Sequence, residues 1–455
     1  MKPNIVMMIS HDSGRMYSNY GYQIATPNFE ELAKNSIQFD NYFCPAPQCS
    51  PSRGSILTGK YPHNNGLMGL AHLGFSINEG NITLPMALRS GGYETTLIGL
   101  SHETINEPPA IEDRIFSSTT ELGYNQYVPV EGDRAPRIAD AVIDYLQNYQ
   151  KDQPFYLNVG FFETHRDFDE YQPYADDIED VKVFDFMIDN ENTEKDVALF
   201  NGAMKVLDES VGRIVKYIDS TKFKENTIII YTTDHGVAFP GAKGTLKDSG
   251  LGTALLISVP GGKKGLKKKA LLCNVDLLPT ILDLVGLEVP RDIDGCSFAE
   301  AITTEKDSGR EEFFCEMTWH DKYQPMRGIR TNEYSYVKNF EDGPKIYVTV
   351  DAHLSLSGSE MREKCYVPND PEELYDLSID PLEENNVIDN PEYAQIAQKL
   401  RKKVNDWMIE TNDPLLNGPI KGQGSKRWAT EIAEGRAYPG REVYFQQKNN
   451  RDKEL

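Results

Sequence analysis

No apolar run in this chain approaches the length of a membrane-spanning helix. Cysteine is sparse. Six residues, at 44, 49, 273, 296, 315 and 365, fall without CxxC spacing, which argues against a zinc site and a dense disulfide framework. Positive charge is short as well: Lys and Arg number 47 against 70 Asp and Glu. The net charge of −23 argues against nucleic acid and anionic membrane surfaces as partners. It also repels small anions at long range, so any anion site here has to be locally positive. No internal repeat is present. The N-terminus lacks a charged leader, an h-region and a cleavage site, since Asn4-Ile5-Val6-Met7-Met8-Ile9 enters a strand directly. As written the sequence reads as cytoplasmic, and a chain trimmed of a signal peptide would read the same way. The closing Asp452-Lys453-Glu454-Leu455 is similar to an ER-retention signal, but without a leader it reads as chance.

What is present is enough apolar matter for a core, 39% of 455 residues, which fits one large α/β domain plus a smaller one. Nearly continuous apolar runs at Asn4–Ser10, Phe155–Phe161 and Thr227–Thr233 read as buried parallel strands, with Ile37–Phe43, Glu94–Gly99 and Thr253–Val259 beside them. Helices fall between them: Thr26–Asn35, Leu84–Ser90, Pro136–Tyr149, Thr193–Ser220 and Val275–Val285. In the fourth, apolar residues recur at 197, 200, 204, 207, 211, 214 and 218. Residues 103–133 read as loop and 167–192 as an acidic surface excursion. The alternation predicts an α/β fold over 1–308, a doubly wound, mostly parallel sheet flanked by helices. From 309 to 420 the pattern becomes α+β, with antiparallel strands at Phe313–Met317, Met326–Arg330 and Tyr334–Phe340 and a helix at Glu392–Thr411. Residues 421–455 read as a polar tail.

Chemistry concentrates in one turn and three strand ends. In Cys49-Ser50-Pro51-Ser52-Arg53-Gly54, Pro51 suits the first turn of a helix. Cys49 then sits at that helix's N-terminus, where unpaired N–H groups and the dipole favour an anion, with Arg53 one turn away. This is a nucleophile at an anion cradle. His11-Asp12, His165 and Asp234-His235 each follow an apolar strand, at the carboxyl edge where open α/β sheets place their ligands. In a chain with eight histidines, two Asp/His dyads at separate strand ends favour one shared cation.

The stretch from Cys49 to Lys60, with its Leu57-Thr58-Gly59 ending, resembles the Cys-x-Pro-x-Arg signature of the type I sulfatases of the alkaline-phosphatase superfamily. The resemblance implies that Cys49 is oxidised to formylglycine by a maturation enzyme, and that the hydrated aldehyde attacks sulfur. It implies a divalent cation held by Asp12, Asp234, His235 and residue 49, with His11 where the family usually has Asp. Calcium is the first expectation; His11 raises the case for manganese, magnesium or zinc. Lys243, in Lys243-Gly244-Thr245, matches a lysine that contacts sulfate, a role shared with Arg53. His102 matches the histidine that helps expel sulfate, and His165 the histidine beside the leaving group. Leu100 replaces a family lysine, for which Arg166 or Lys60 could substitute. Pro325-Met326-Arg327, Glu373–Leu377 and Glu163–Arg166 are similar to the sulfamidase branch. Glu163, Arg166, His320 and Arg327 are accordingly candidate sugar contacts. The expected reaction is hydrolysis of a sulfate ester or sulfamate of a sulfated saccharide. The alternatives are a phosphodiester or phosphonate monoester hydrolase of the same superfamily and a non-catalytic carbohydrate-binding descendant.

Overall fold

Asn4–Ser10 (β1) is buried along its whole length and lies near the middle of an eight-stranded sheet. In the structure, a computed structural model, residues 2–104, 122–365 and 367–422 are described. The other strands are Ile37–Phe39 (β2), Tyr42–Phe43 (β3), Glu94–Gly99 (β4), Gln126–Val128 (β5), Phe155–Gly160 (β6), Thr227–Thr233 (β7), Leu255–Ser258 (β8), Leu266–Lys268 (β9), Leu272–Cys273 (β10), Glu312–Trp319 (β11), Tyr323–Thr331 (β12), Tyr334–Asn339 (β13) and Glu372–Asp376 (β14). The large sheet runs β5-β4-β6-β1-β7-β8-β2-β9. Only β8 is antiparallel to its neighbours. Alternate residues of β1 enter separate cores on the two faces: Val6 and Met8 pack under the helices Ala135–Asn148 and Glu191–Asp219, Ile5, Met7 and Ile9 against the side of Cys49–Thr58 and Leu277–Leu284. This is the expected doubly wound α/β architecture.

The strands β4, β6, β1 and β7 are adjacent and mutually parallel, so their carboxyl ends line one edge. There the chain delivers His102 after β4, Glu163–Arg166 after β6, His11-Asp12 after β1 and Asp234-His235 after β7. The turn after β7 is tight: a Cβ on Gly236 would come within 1.9 Å of the Ser249 carbonyl oxygen. Only glycine lets His235 lie so close to the following loop.

The second sheet, β11-β12-β13-β14, is antiparallel, and the helix Ala394–Glu410 packs on it through Leu400, Val404 and Trp407. It is joined to the first unit by charge as well as by apolar contact. Arg15 and Arg330 lie on either side of this join, both on Asp248 and both within about 5 Å of the Phe43 ring centre, at 4.9 and 5.0 Å. Among the described residues no helix is long and apolar enough to cross a membrane.

Several elements differ from expectation. Ile37–Phe43 is not one strand: the chain breaks at Asp40-Asn41, and β2 and β3 pair in different sheets. The 103–133 stretch contains β5 at the sheet edge, and residues 340–376 contain the helices Val350–His353 and Leu356–Cys365 and the strand β14. The rest of that first stretch, 105–121, and the tail from 423 onward lie outside the described residues.

Candidate active site

Cys49 is the first residue of the helix Cys49–Thr58, entered from an extended Gln48 and closed by Gly59 at φ 65°. Every residue of this helix is buried. The Cys49 sulfur lies 3.4 Å from His235 Nε2 and 3.9 Å from Asp12 Oδ1, and His102 hydrogen-bonds it. Burial opposes ionisation of the thiol, but Lys243, His11 and His235 outweigh it and hold its pKa well below the ordinary value. Arg53, one turn on, gives Nε to Asp234 Oδ2 at 3.0 Å and Nη2 to the Ser10 carbonyl at 3.3 Å. These two contacts fix Asp234 and the end of β1 to the Cys49 helix.

Asp12 has φ 55°, a conformation Asp tolerates better than most residues, and its own N–H donates to Asp234 Oδ1 at 3.0 Å. One ligand atom from each of His11, Asp12, Cys49, Asp234 and His235 lies within 4.8 Å of all the others. His235 donates Nδ1–H to the Gly236 carbonyl at 2.9 Å and Nε2–H to Asp12 Oδ1 at 3.0 Å. Burial opposes the charge on the ring, but Asp234 and Asp12 outweigh it and raise its pKa well above the ordinary value, so a cation would take the place of the Nε2 proton. The His11 ring is wholly buried and neither of its nitrogens makes a hydrogen bond, although Nε2 is 3.4 Å from Asp234 Oδ2. Two carboxylates, two imidazoles and an orphaned buried nitrogen fit a divalent cation. His11 thus turns toward the cluster.

Lys243 Nζ meets Asp12 Oδ2 at 2.6 Å, and burial disfavours its charge less than Asp12 and Asp351 favour it. His165 stacks on His11 with ring centres 4.7 Å apart and gives Nδ1–H to the Arg166 carbonyl. Burial and Lys243 push its pKa down to about 4. His320 works the other way: burial opposes its charge, but Asp321, 3.5 Å away, and the Cys49 sulfur raise its pKa to about 9.

Three of the four candidate sugar contacts are placed elsewhere. Arg166 makes a paired hydrogen bond to Asp196, at 2.8 and 2.7 Å, beneath Phe168 and Phe239. Arg327 is enclosed by Asp413, Glu316 and the Met317 carbonyl and is 0% exposed. Glu163 is likewise 0% exposed, accepting from Ala135 N–H and Tyr171 Oη–H. Their hydrogen-bonding groups are spent inside the protein, and only His320 reaches the cluster. Nor does either proposed substitute for the missing lysine arrive: Arg166 is on Asp196, and Lys60 is on Asp292 at 2.6 Å. Leu100 itself is buried, 3% exposed.

The sulfatase family model matches residues 3–287. An ulvan-active sulfatase of Formosa agariphila is 31% identical over 437 residues, 92% of this chain and 82% of the relative. The chain belongs to the sulfatase family. Family members are sulfuric ester hydrolases, and a C-terminal model described as N-sulphoglucosamine sulphohydrolase matches residues 242–362 of this sulfatase. Human N-sulphoglucosamine sulphohydrolase is 27% identical over 469 residues, 91% of this chain and 92% of the human protein. A solved structure described as a complex with its substrate D-glucosamine-2-N,6-O-disulfate shares the fold, with a TM-score of 0.69 at 22% identity over 91% of this chain and 99% of that one.

Some site groups of this sulfatase carry no sequence signal. Ser52 Oγ donates to the Asp234 carbonyl and accepts from Asn274 Nδ2 at 2.8 Å, fastening the strand end to the Cys49 helix. Asp351 approaches Lys243 and His165 from a segment without a motif. Only the fold brings them in.

Proposed function

We propose that this sulfatase hydrolyses the sulfate ester or sulfamate of a sulfated sugar, with Cys49 oxidised to formylglycine as its nucleophile. The observation that carries the reading is the placement of residue 49: at a helix N-terminus, against His235 and Asp12, with His102 and His320 beside its sulfur. The names of the relatives support a sugar substrate, an N-sulfated glucosamine among them. A divalent cation on His11, Asp12, Asp234, His235 and residue 49 would supply Lewis acidity to the nucleophile and the sulfate. The two inward-facing imidazole nitrogens move our preference from calcium to manganese or zinc.

In the proposed reaction one hydroxyl of the aldehyde hydrate gives its proton to the Asp12 carboxylate beside residue 49 and forms an O–S bond while the S–O or S–N bond to the sugar breaks in line. Lys243 balances the charge that gathers on the sulfate oxygens. His102 then takes the proton of the second hydroxyl, the C=O bond re-forms and sulfate leaves. The leaving sugar atom needs a proton. His165 has only Nε2 to offer, because Nδ1–H is spent on Arg166, and its pKa of about 4 is a poor start unless the substrate anion raises it. His320 stands beside Cys49 as the second donor. The acid is the histidine whose Gln variant loses about 100-fold more on a sugar sulfate than on 4-nitrophenyl sulfate, whose leaving group needs little help.

Mass spectrometry of the peptide spanning Cys49, after co-expression with a formylglycine-generating enzyme, should show the aldehyde. Sulfate release from N-sulfated, 6-O-sulfated and 2-O-sulfated saccharides, with a phosphonate ester beside them, ranks the substrates. The Asp234-His235 pair and Leu100 favour the phosphonate ester as the second reading, and a clear preference for it would replace the first.

A further inference from the structure

An acidic side chain stands where an anion-binding pocket has no use for one. Asp351, on the short helix Val350–His353, places Oδ2 3.5 Å from Lys243 Nζ and 3.9 Å from His165 Nε2, while Oδ1 accepts from Ala352 N–H at 2.9 Å. Pairing with Lys243 does not account for it, because Asp12 already meets that lysine at 2.6 Å. The segment carrying Asp351 is fixed from three sides. Asp321 accepts the Val350 N–H at 2.7 Å. The Tyr347 ring covers Gly244, where a Cβ would come within 2.6 Å of it, and Asp196 accepts the Ser357 N–H at 3.2 Å. So Asp351 is built into the site.

Exposure decides which way it faces. The side chains of Asp12, Asp234, His235, Arg53 and Lys243 are closed from solvent, at 0 to 1%. Those of His165 and Asp351 keep 25% and 22%. A substrate whose sulfate reaches Cys49 and Lys243 therefore has the rest of its body beside His165 and Asp351.

Resting on the reading that this site cleaves a sulfated sugar, we propose that Asp351 is a specificity residue: it accepts a hydrogen bond from the hydroxyl or N–H next to the sulfated position and excludes a second sulfate there. A carboxylate has about four lone-pair sites, so the contacts to Ala352 and Lys243 leave capacity for a sugar donor. A charged acceptor makes the stronger kind of hydrogen bond, and a sulfate on the adjacent position would meet like charge at contact distance. A site built to bind a hydroxyl discriminates strongly against analogues that lack it.

The test takes the sulfated sugar the enzyme turns over fastest, with the neighbouring hydroxyl free, O-methylated or sulfated (the 3-hydroxyl for an N-sulfate, the 4-hydroxyl for a 6-O-sulfate). 4-Nitrophenyl sulfate serves as the substrate without such a donor. Wild-type kcat/KM should favour the free hydroxyl over both analogues by at least about 100-fold. Asp351→Asn and Asp351→Ala should slow every substrate, the free-hydroxyl sugar most, and shrink that preference below about 10-fold, with Asp351→Glu restoring part of it. Equal proportional losses on sugar and aryl sulfate, with the preference intact, would mean that Asp351 only holds Lys243, and would overturn the proposal. A wild-type enzyme that releases sulfate but ignores the neighbouring group would overturn it without any variant. One that releases no sulfate from any substrate would overturn the underlying reading instead.

Discussion

Glu163 lies wholly inside the protein, and burial pushes its pKa up to about 7 against the hydrogen bonds from Ala135 and Tyr171. Unfolded, the carboxyl ionises near 4.5; folded, it keeps its proton to about pH 7. Its contribution to stability is therefore complete below the unfolded value and lost as pH rises through the folded one, about 3 kcal/mol in all. Glu163→Gln should remove that loss, so the melting temperatures of variant and wild type should converge or cross between pH 5 and 8. Parallel curves would contradict the assignment. Asp234 sits at the other end of the residue scale, as a proposed ligand that also neutralises Arg53. Asp234→Ala should abolish turnover and, by stranding a buried guanidinium, cost about 3–5 kcal/mol. Chelator should lower the melting temperature of wild type and leave the variant where it is, since a cation that binds only the folded state could no longer be held. A chelator effect of equal size in both would remove Asp234 from the ligand set.

At the scale of elements, Arg166, Asp196 and Ser357 join the loop after β6, the long helix Glu191–Asp219 and the helix Leu356–Cys365 through one buried carboxylate. Arg166→Ala should therefore lower the stability measured in urea by about 3–5 kcal/mol, whereas Ser357→Ala should cost only about 1 kcal/mol. A raised KM with unchanged stability would return Arg166 to the substrate. That arginine also shows where sequence reading stops. β1, β6 and β7 were legible because a buried parallel strand leaves an unbroken apolar run, and the groups that follow them inherit their place from the sheet. The Cys49 helix was legible from Pro51 and Gly59. β5, β9 and β10, two or three residues each, are too short to leave a pattern. Arg166 and Arg327 read as sugar contacts because nothing local announces partners 30 and 86 positions away. Asp351 was invisible for the converse reason: its neighbours, not its flanks, give it meaning.

For the molecule as a whole, a net charge of −23 surrounds a site that gathers Lys243 and five histidines, His11, His102, His165, His235 and His320. A multiply sulfated oligosaccharide is repelled by the surface before the buried site can hold it. Raising ionic strength from about 10 to about 150 mM should lower its KM, since surface repulsion is screened more than buried contacts are. A KM that rises steadily with salt would place the dominant attraction outside the site. The burial of the Cys49 helix has a consequence of another kind, in time. Cys49 is 3% exposed, with all ten residues of its helix enclosed between the sheet and the segment around Asn274. On the proposed formylglycine reading, an enzyme converting this thiol to an aldehyde would have to reach it before the helix is enclosed. Conversion and folding would then compete for the same newly made polypeptide, and whichever finished first would decide the fate of that molecule for good. Slowing synthesis or delaying folding should raise the aldehyde-bearing fraction, and purified thiol-form protein should stay unconverted until it is unfolded.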